Sequence, residues 1–295
     1  MRVMVSGSSG LVGQRVCEAL ETRGDEVVRL VRDRAQAENA DAALFLPMEG
    51  VAELDGADAV IHLAGESIAG GPWTADRMAR IKGSRVDGTK TLAEAIARLE
   101  RKPSFVSASA IGYYGDRGAS WMDESSPAGE LFLSEVCVAW EDAADAARDV
   151  GARVVHPRIG IVLAKEGGAL GTMLTPFKMG LGGVVGSGEQ YMSWISLSDV
   201  VGALVHLAHH PDATGPVNLV GPDPVTNRVF TKALGKAIKR PTFLPLPSFA
   251  AKTVFGQLGD ELLLASTRVK CERLQTSGYA FAQPSLEEAL QDALQ

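Results

Sequence analysis

Apolar residues recur along this chain in two alternating rhythms. Arg2–Val5 reads as a short buried strand, and Leu11–Arg23 spaces Val12, Val16, Ala19 and Leu20 along one helix face. Gly24 closes that helix and Glu26–Val31 reads as a second strand. Short strand-like runs at Ala43–Leu46, Ala59–Leu63, Ser104–Ser107 and Arg153–Ile159 then alternate with helical patterns at Arg77–Leu99 and Leu131–Val150. Repeated strand–helix alternation predicts an α/β fold, a doubly wound parallel sheet with helices on both faces.

After Ile159 the beat changes. Glycines crowd residues 160–195, Lys178–Gly188 reading KMGLGGVVGSG, and a helix follows at Leu197–His210 with Ser198 or Ser196 as its cap. GPVNLVG predicts one more strand, and the proline-punctuated remainder (Pro222, Pro224, Pro241, Pro245, Pro247) mixes helices and turns. The expected organisation is a main domain of residues 1–160 and 197–221 interleaved with a smaller C-terminal lobe of 161–196 and 222–295.

Composition narrows the function classes. Of 295 residues, 46% are hydrophobic and 22% charged, with a formal net charge of −7. Lysine and arginine are scattered, so no basic surface for nucleic acid is expected. Cys17, Cys137 and Cys271 lie far apart, which fits neither a disulfide framework nor a metal knuckle and points to a reducing cytoplasm. The opening MRVMVSG leaves no room for a signal peptide, and no apolar run approaches the roughly 20 residues that span a bilayer. The expected protein is soluble and cytoplasmic, with no membrane partner.

Chemistry begins at VMVSGSSGLVGQRV. Gly7 permits the strand-to-helix turn, Gly10 lets a pyrophosphate approach backbone N–H groups, and Gly13 lets the helix pack on the sheet. The helix N-terminus adds a dipole favourable to anions. Together these predict a dinucleotide site. Arg32 and Arg34 flank Asp33 just past the second strand; an arginine there suits a 2′-phosphate, which favours NADP. Asp33, about 20 residues after the last glycine, keeps NAD open.

With GSSGLVG, VIHLAGE, RVDGTKTL, SASAIGYYG and SWISLSDVV taken together, the chain resembles the extended short-chain dehydrogenase/reductases. GESIAGGPWT, RIKGSRVDGTK, GLGGVVGSGEQYMSWIS and ELLLASTRV resemble an atypical branch, the NAD-dependent epimerase/dehydratase-like group. The resemblance covers nearly the whole chain and implies a Rossmann-type sheet, a smaller substrate lobe and a pocket between them. It places the cofactor loop on Gly7, Ser8, Ser9, Gly10, Leu11, Val12 and Gly13, and a second cofactor-side segment on His62, Leu63, Ala64 and Gly65, with His62 itself read as strand packing. The serine that binds the reacting oxygen falls on Ser109 or Ser107. Either serine can instead satisfy backbone at a strand end.

Beyond that point the resemblance fails. The Tyr-x-x-x-Lys pair expected on the next helix falls on Leu133 and Cys137, and the usual asparagine falls on Arg85, which is expected on the cofactor side. A replacement acid must come from elsewhere. Tyr113 and Tyr114 are the candidates, with Lys82 or Arg85 to lower a phenol pKa; the alternative is a loop that simply packs two rings. Cys137 sits on a buried stripe with Leu133, Val136, Trp140, Ala144 and Ala147, which marks it as core, while Glu135 and Glu141 are expected on the solvated side. His206, His209 and His210 read as a helix C-terminus and not a metal site. By family position Arg158, Tyr191 and Trp194 are substrate contacts, and the two long helices a dimer contact.

Two functions remain open: an NADP-dependent oxidoreductase or epimerase-like enzyme acting on a small carbonyl or hydroxyl compound, and an NADPH-binding regulatory or scaffolding protein without turnover.

Overall fold

A computed structural model describes residues 1–39, 41–51 and 54–295. Seven parallel strands form the frame: β1 (Arg2–Ser6), β2 (Glu26–Val31), β3 (Ala42–Leu46), β4 (Ala59–His62), β5 (Ser104–Ser107), β6 (Val154–Ile159) and β7 (Gly215–Leu219). They lie side by side in the order β7-β6-β5-β4-β1-β2-β3, and Gly50–Val51 adds an antiparallel edge to β3. The order reverses between β1 and β4, where Ser6 pairs with His62. A crevice opens there at the strand C-termini, the usual place for a ligand in an open α/β sheet.

Both faces of the sheet are buried because β1 is apolar in both directions. Val3 and Val5 pack with Val16 and Leu20 of α1 (Leu11–Arg23), and Met4 packs on the opposite side with Leu92 and Ile96 of α2 (Ala75–Arg98). The predicted helix over 131–150 is two pieces, α3 (Phe132–Asp142) and α4 (Asp145–Asp149). Next come α5 (Gly168–Lys178) and α6 (Leu197–His209), which packs beside α1. Of the two serines proposed as its cap, Ser196 does the capping, accepting the Asp199 N–H.

The remaining segments gather around a separate apolar cluster built on Leu170, Leu174, Trp194, Phe230, Leu234 and Leu290. Short strand pairs tie them together: Ile161–Leu163 with Trp194–Ser196, Tyr191–Met192 with Val225–Thr226, and Trp121–Met122 with Arg268–Val269. Among the described residues, no helix is long and apolar enough to cross a membrane.

Candidate functional site

The crevice floor is the turn from β1 into α1. Gly7 has φ +71°, and a Cβ there would come within 2.8 Å of the Leu63 and Ala64 backbone. A Cβ on Gly13 would stand 2.1 Å from the Gly7 carbonyl oxygen. Glycine at both positions is therefore required by close backbone approach. Gly10 holds the N-cap position of α1 without any side-chain cap, and its own N–H turns back to Gly7 O at 2.9 Å. The helix start thus presents backbone donors to a ligand, flanked by Ser8, Ser9, Leu11 and Val12. Arg32 and Arg34 are both exposed past the end of β2, while the Asp33 carboxylate accepts the Ala35 N–H in a local turn.

Below the crevice, His62 at the end of β4 is fully buried, with Ser6 Oγ 2.5 Å from its Nδ1. Burial first, and the charge of Arg85 second, hold its pKa down at about 3, so the ring is neutral. Gly88 of α2 makes room for it, since a Cβ there would sit 3.1 Å from the ring. This placement agrees with the packing role expected from sequence.

Arg85 is committed to the turn after β4. Its Nη1 donates to Glu66 O and Ile81 O at 3.0 Å, its guanidinium lies 5.0 Å from the Trp140 ring centroid, and it fills the space beside Gly65. Burial lowers its pKa. Lys82 is exposed. The cation that reaches the tyrosines is instead Arg158, whose guanidinium carbon lies 3.4 Å from the Tyr113 ring centroid.

Arg158 centres a buried polar network that sequence reasoning did not foresee. Its Nε and Nη2 donate to the two oxygens of Glu141, each at 2.8 Å, and its Nη1 donates to Tyr114 Oη at 3.0 Å. Ser109 Oγ donates to Glu141 Oε1 at 2.7 Å, and Tyr114 Oη donates to Asn218 Oδ1 at 2.7 Å. Ser109, Tyr114 and Arg158 are at most 2% exposed. Burial pushes the Tyr114 phenol up to about 12. The expectation that Glu141 faces solvent is corrected, because it is the counter-ion of Arg158. Ser109, expected to bind the reacting oxygen, Tyr114, expected to move a proton, and Arg158, expected to meet substrate, have their polar atoms engaged in this network. Ser107 Oγ is buried without a partner among the described residues. Tyr113 is the tyrosine that stays half-exposed.

Helix α3 explains why the missing pair leaves no gap. Gly112 lies over Leu133 and Cys137, so that a Cβ on it would be 3.2 Å from Leu133 Cβ and 3.9 Å from Cys137 Sγ. The loop after β5 has closed onto the positions where the proton-transfer pair was sought. Burial raises the Cys137 thiol to about 11, which fits its reading as core. The start of α3 has no local cap, and Glu261, from the ELLLASTRV segment, supplies one.

Beside the Trp194 cluster, Tyr191 is half-buried, with its ring 4.3 Å from the Arg268 guanidinium. Trp194, expected to touch substrate, belongs to the core: it is 1% exposed and its Nε1–H donates to Asp223 O at 2.9 Å. The histidines stand at a helix C-terminus, His206 and His209 in the last turn of α6 and His210 at its C-cap, and His206 also bonds Ser277 at 2.9 Å.

The sequence profile of the NAD dependent epimerase/dehydratase family matches residues 3–221, and a domain of unknown function (DUF1731) matches residues 246–293. The chain is 42% identical over 291 residues to epimerase family protein Mb2239 of Mycobacterium bovis, covering 98% of this chain and 96% of that one. It is 35% identical over 296 residues to epimerase family protein SDR39U1 of Homo sapiens, covering 99% of both. A crystal structure of the human protein with NADPH superposes with a TM-score of 0.89 at 33% identity, over 99% of each chain. UDP-N-acetylglucosamine 4-epimerase from Bacillus cereus shares the fold, with a TM-score of 0.77 at 16% identity. Fold, glycine loop and these relatives agree: the chain belongs to the NAD dependent epimerase/dehydratase family.

Proposed function

We propose that this chain is an NADP(H)-dependent oxidoreductase or epimerase-like enzyme of the atypical extended short-chain dehydrogenase/reductase type, acting on a small carbonyl or hydroxyl compound. The observation that carries the reading is the cradle at Gly7 and Gly13, where any side chain would collide with backbone. A dinucleotide fits there because its pyrophosphate needs that backbone approach and the uncapped start of α1. Gly7–Gly13 would hold the pyrophosphate, Leu63, Ala64 and Gly65 the crevice wall, and Arg32 with Arg34 the 2′-phosphate. The human relative crystallised with NADPH supports the same choice, whereas a structural neighbour of 15% identity carries NAD.

When bound, the nicotinamide supplies a hydride donor or acceptor. Tyr113 is the group proposed to handle the proton, because it is the half-exposed tyrosine of the pair and its ring is held against the Arg158 guanidinium. Ser109, Tyr114 and Arg158 act as positioning residues that hold this ring and the loop after β5. The buried thiols Cys17, Cys137 and Cys271 suit a reducing cytoplasm.

A second reading is favoured by one observation. Leu133 has no ionisable group, the Cys137 thiol is buried and donates to Ala110 O, and the Gly112 loop is closed over both. On that reading the chain binds NADPH as a regulatory or scaffolding protein. Titration of NADPH and NADH against the pure chain, followed by a screen of carbonyl compounds for NADPH oxidation, separates the two. Turnover supports the enzyme, and tight NADPH binding without turnover supports the binding protein. An NADPH preference that survives Arg32→Ala would remove the phosphate assignment.

A further inference from the structure

Arg268 and Trp121 stand opposite each other in the short parallel pair Trp121–Met122 and Arg268–Val269. Met122 and Val269 turn inward to the cluster around Tyr114, so strand alternation turns Trp121 and Arg268 to the other face. There the Arg268 guanidinium carbon lies 3.9 Å from the Trp121 ring centroid and 4.3 Å from that of Tyr191. Two rings therefore flank the cation. No carboxylate pairs with it among the described residues, although neighbouring Lys270 pairs with Glu272 at 3.0 Å. Its Nε is buried without a partner, and the residue as a whole is half-exposed.

We propose that Arg268, Trp121 and Tyr191 form an anion-binding site for the carboxylate or phosphate of a small molecule. Rings beside a guanidinium leave its in-plane N–H edge as the polar surface. That edge matches the oxygen pair of a carboxylate or phosphate. Its placement is fixed before any ligand arrives. Next to Arg268, Thr267 donates its N–H to Tyr191 O at 3.2 Å and its hydroxyl to Gly115 O at 2.8 Å, while Ser193 Oγ donates to Thr267 O at 2.8 Å. On a chain of net charge −7, a cation without a counter-ion is a local attraction for anions. Trp121 is 44% exposed, which leaves the site open to solvent.

Gly115 belongs to the loop that carries Tyr113, so this site and the proposed proton-handling group hang on one segment. Assigning the anion to the substrate rests on the enzyme reading above; the site itself does not. A purely structural clamp between lobe and loop would make the same stacking but bind nothing.

Trp121 emission reports on the site directly. Sodium phosphate and sodium acetate are titrated into the full chain at constant ionic strength, with chloride as the reference anion. The expected result is a saturable emission change with one or both anions, absent in Trp121→Phe and about ten- to a hundredfold weaker in Arg268→Gln. Arg268→Lys, which keeps the charge without the fork, is expected to fall between. Far-ultraviolet circular dichroism and the urea midpoint of each variant check that it has folded. Saturation by phosphate alone or by acetate alone assigns the ligand class. No saturable change, or one unaltered in Arg268→Gln, overturns the site, whatever the outcome of the NADPH titrations.

Discussion

Glu141 and Arg158 meet as a two-pronged ion pair inside the protein, with both N–H···O contacts at 2.8 Å. The pair joins α3 to β6 and holds Ser109 and Tyr114 as further partners. Breaking one side leaves a buried charge uncompensated. Glu141→Ala is therefore expected to lower stability by about 3–5 kcal/mol, read as a fall in the urea midpoint. The double change Glu141→Leu with Arg158→Met removes both charges and is expected to recover much of that loss. A double variant no better than the single one would show that the network acts through its neutral hydrogen bonds.

That pair also shows where sequence reading succeeds and where it stops. Strand alternation, the glycine loop and the crevice are local, and short-range spacing carries them. Glu141 is four residues past Cys137 and one past Trp140, on the same helical stripe. Its charge argued for solvent while its spacing argued for burial, and the spacing prevailed because Arg158 faces it from a strand buried along almost its whole length. Trp194 stands at a substrate position by family resemblance, and its burial comes from an apolar cluster that brings together residues from Leu163 to Leu290. No local signal could show that.

Glu261 is the least legible of the functional contacts. It lies 129 residues beyond Phe132, accepting the N–H groups of Phe132 and Leu133 at 3.1 and 2.9 Å. A carboxylate at a helix start satisfies orphan donors and complements the dipole. Glu261→Ala is expected to cost about 0.5–2 kcal/mol, as helix caps do. The discriminating signal is local: amide hydrogen exchange at Phe132 and Leu133 should accelerate more than exchange in β1. Uniform acceleration across the chain would mean that Glu261 supports the lobe and not the helix.

His62 makes stability depend on pH in a defined window. Its ordinary pKa of 6.5 falls to about 3 in the folded chain, and that of His156 falls to about 4, burial being the first cause in each. Between these values the unfolded chain binds more protons than the folded one. The stability they support is thus complete above pH 6.5 and is lost as pH falls through the window. Each histidine contributes a slope of up to about 1.4 kcal/mol per pH unit. His62→Gln should leave only the His156 share, flattening the fall of the urea midpoint between pH 6 and pH 4. An unchanged slope would place the titrating groups elsewhere.

Tyr113 and Tyr114 stand next to each other with rings 5.4 Å apart, yet the structure gives them different work. Tyr114 Oη bonds both Asn218 and Arg158 inside the core. Its removal strands two buried partners, so Tyr114→Phe is expected to cost about 1–3 kcal/mol in denaturant unfolding. Tyr113 keeps its ring–guanidinium contact when only the hydroxyl is removed, so Tyr113→Phe should unfold at nearly the wild-type denaturant concentration. If the chain turns over a carbonyl compound, Tyr113→Phe should lower kcat by about a hundredfold or more while leaving NADPH affinity unchanged. Full activity in Tyr113→Phe would remove the phenol from the mechanism, because Tyr114 is sealed away from any substrate, Leu133 has no ionisable group and the Cys137 thiol is buried against Ala110 O.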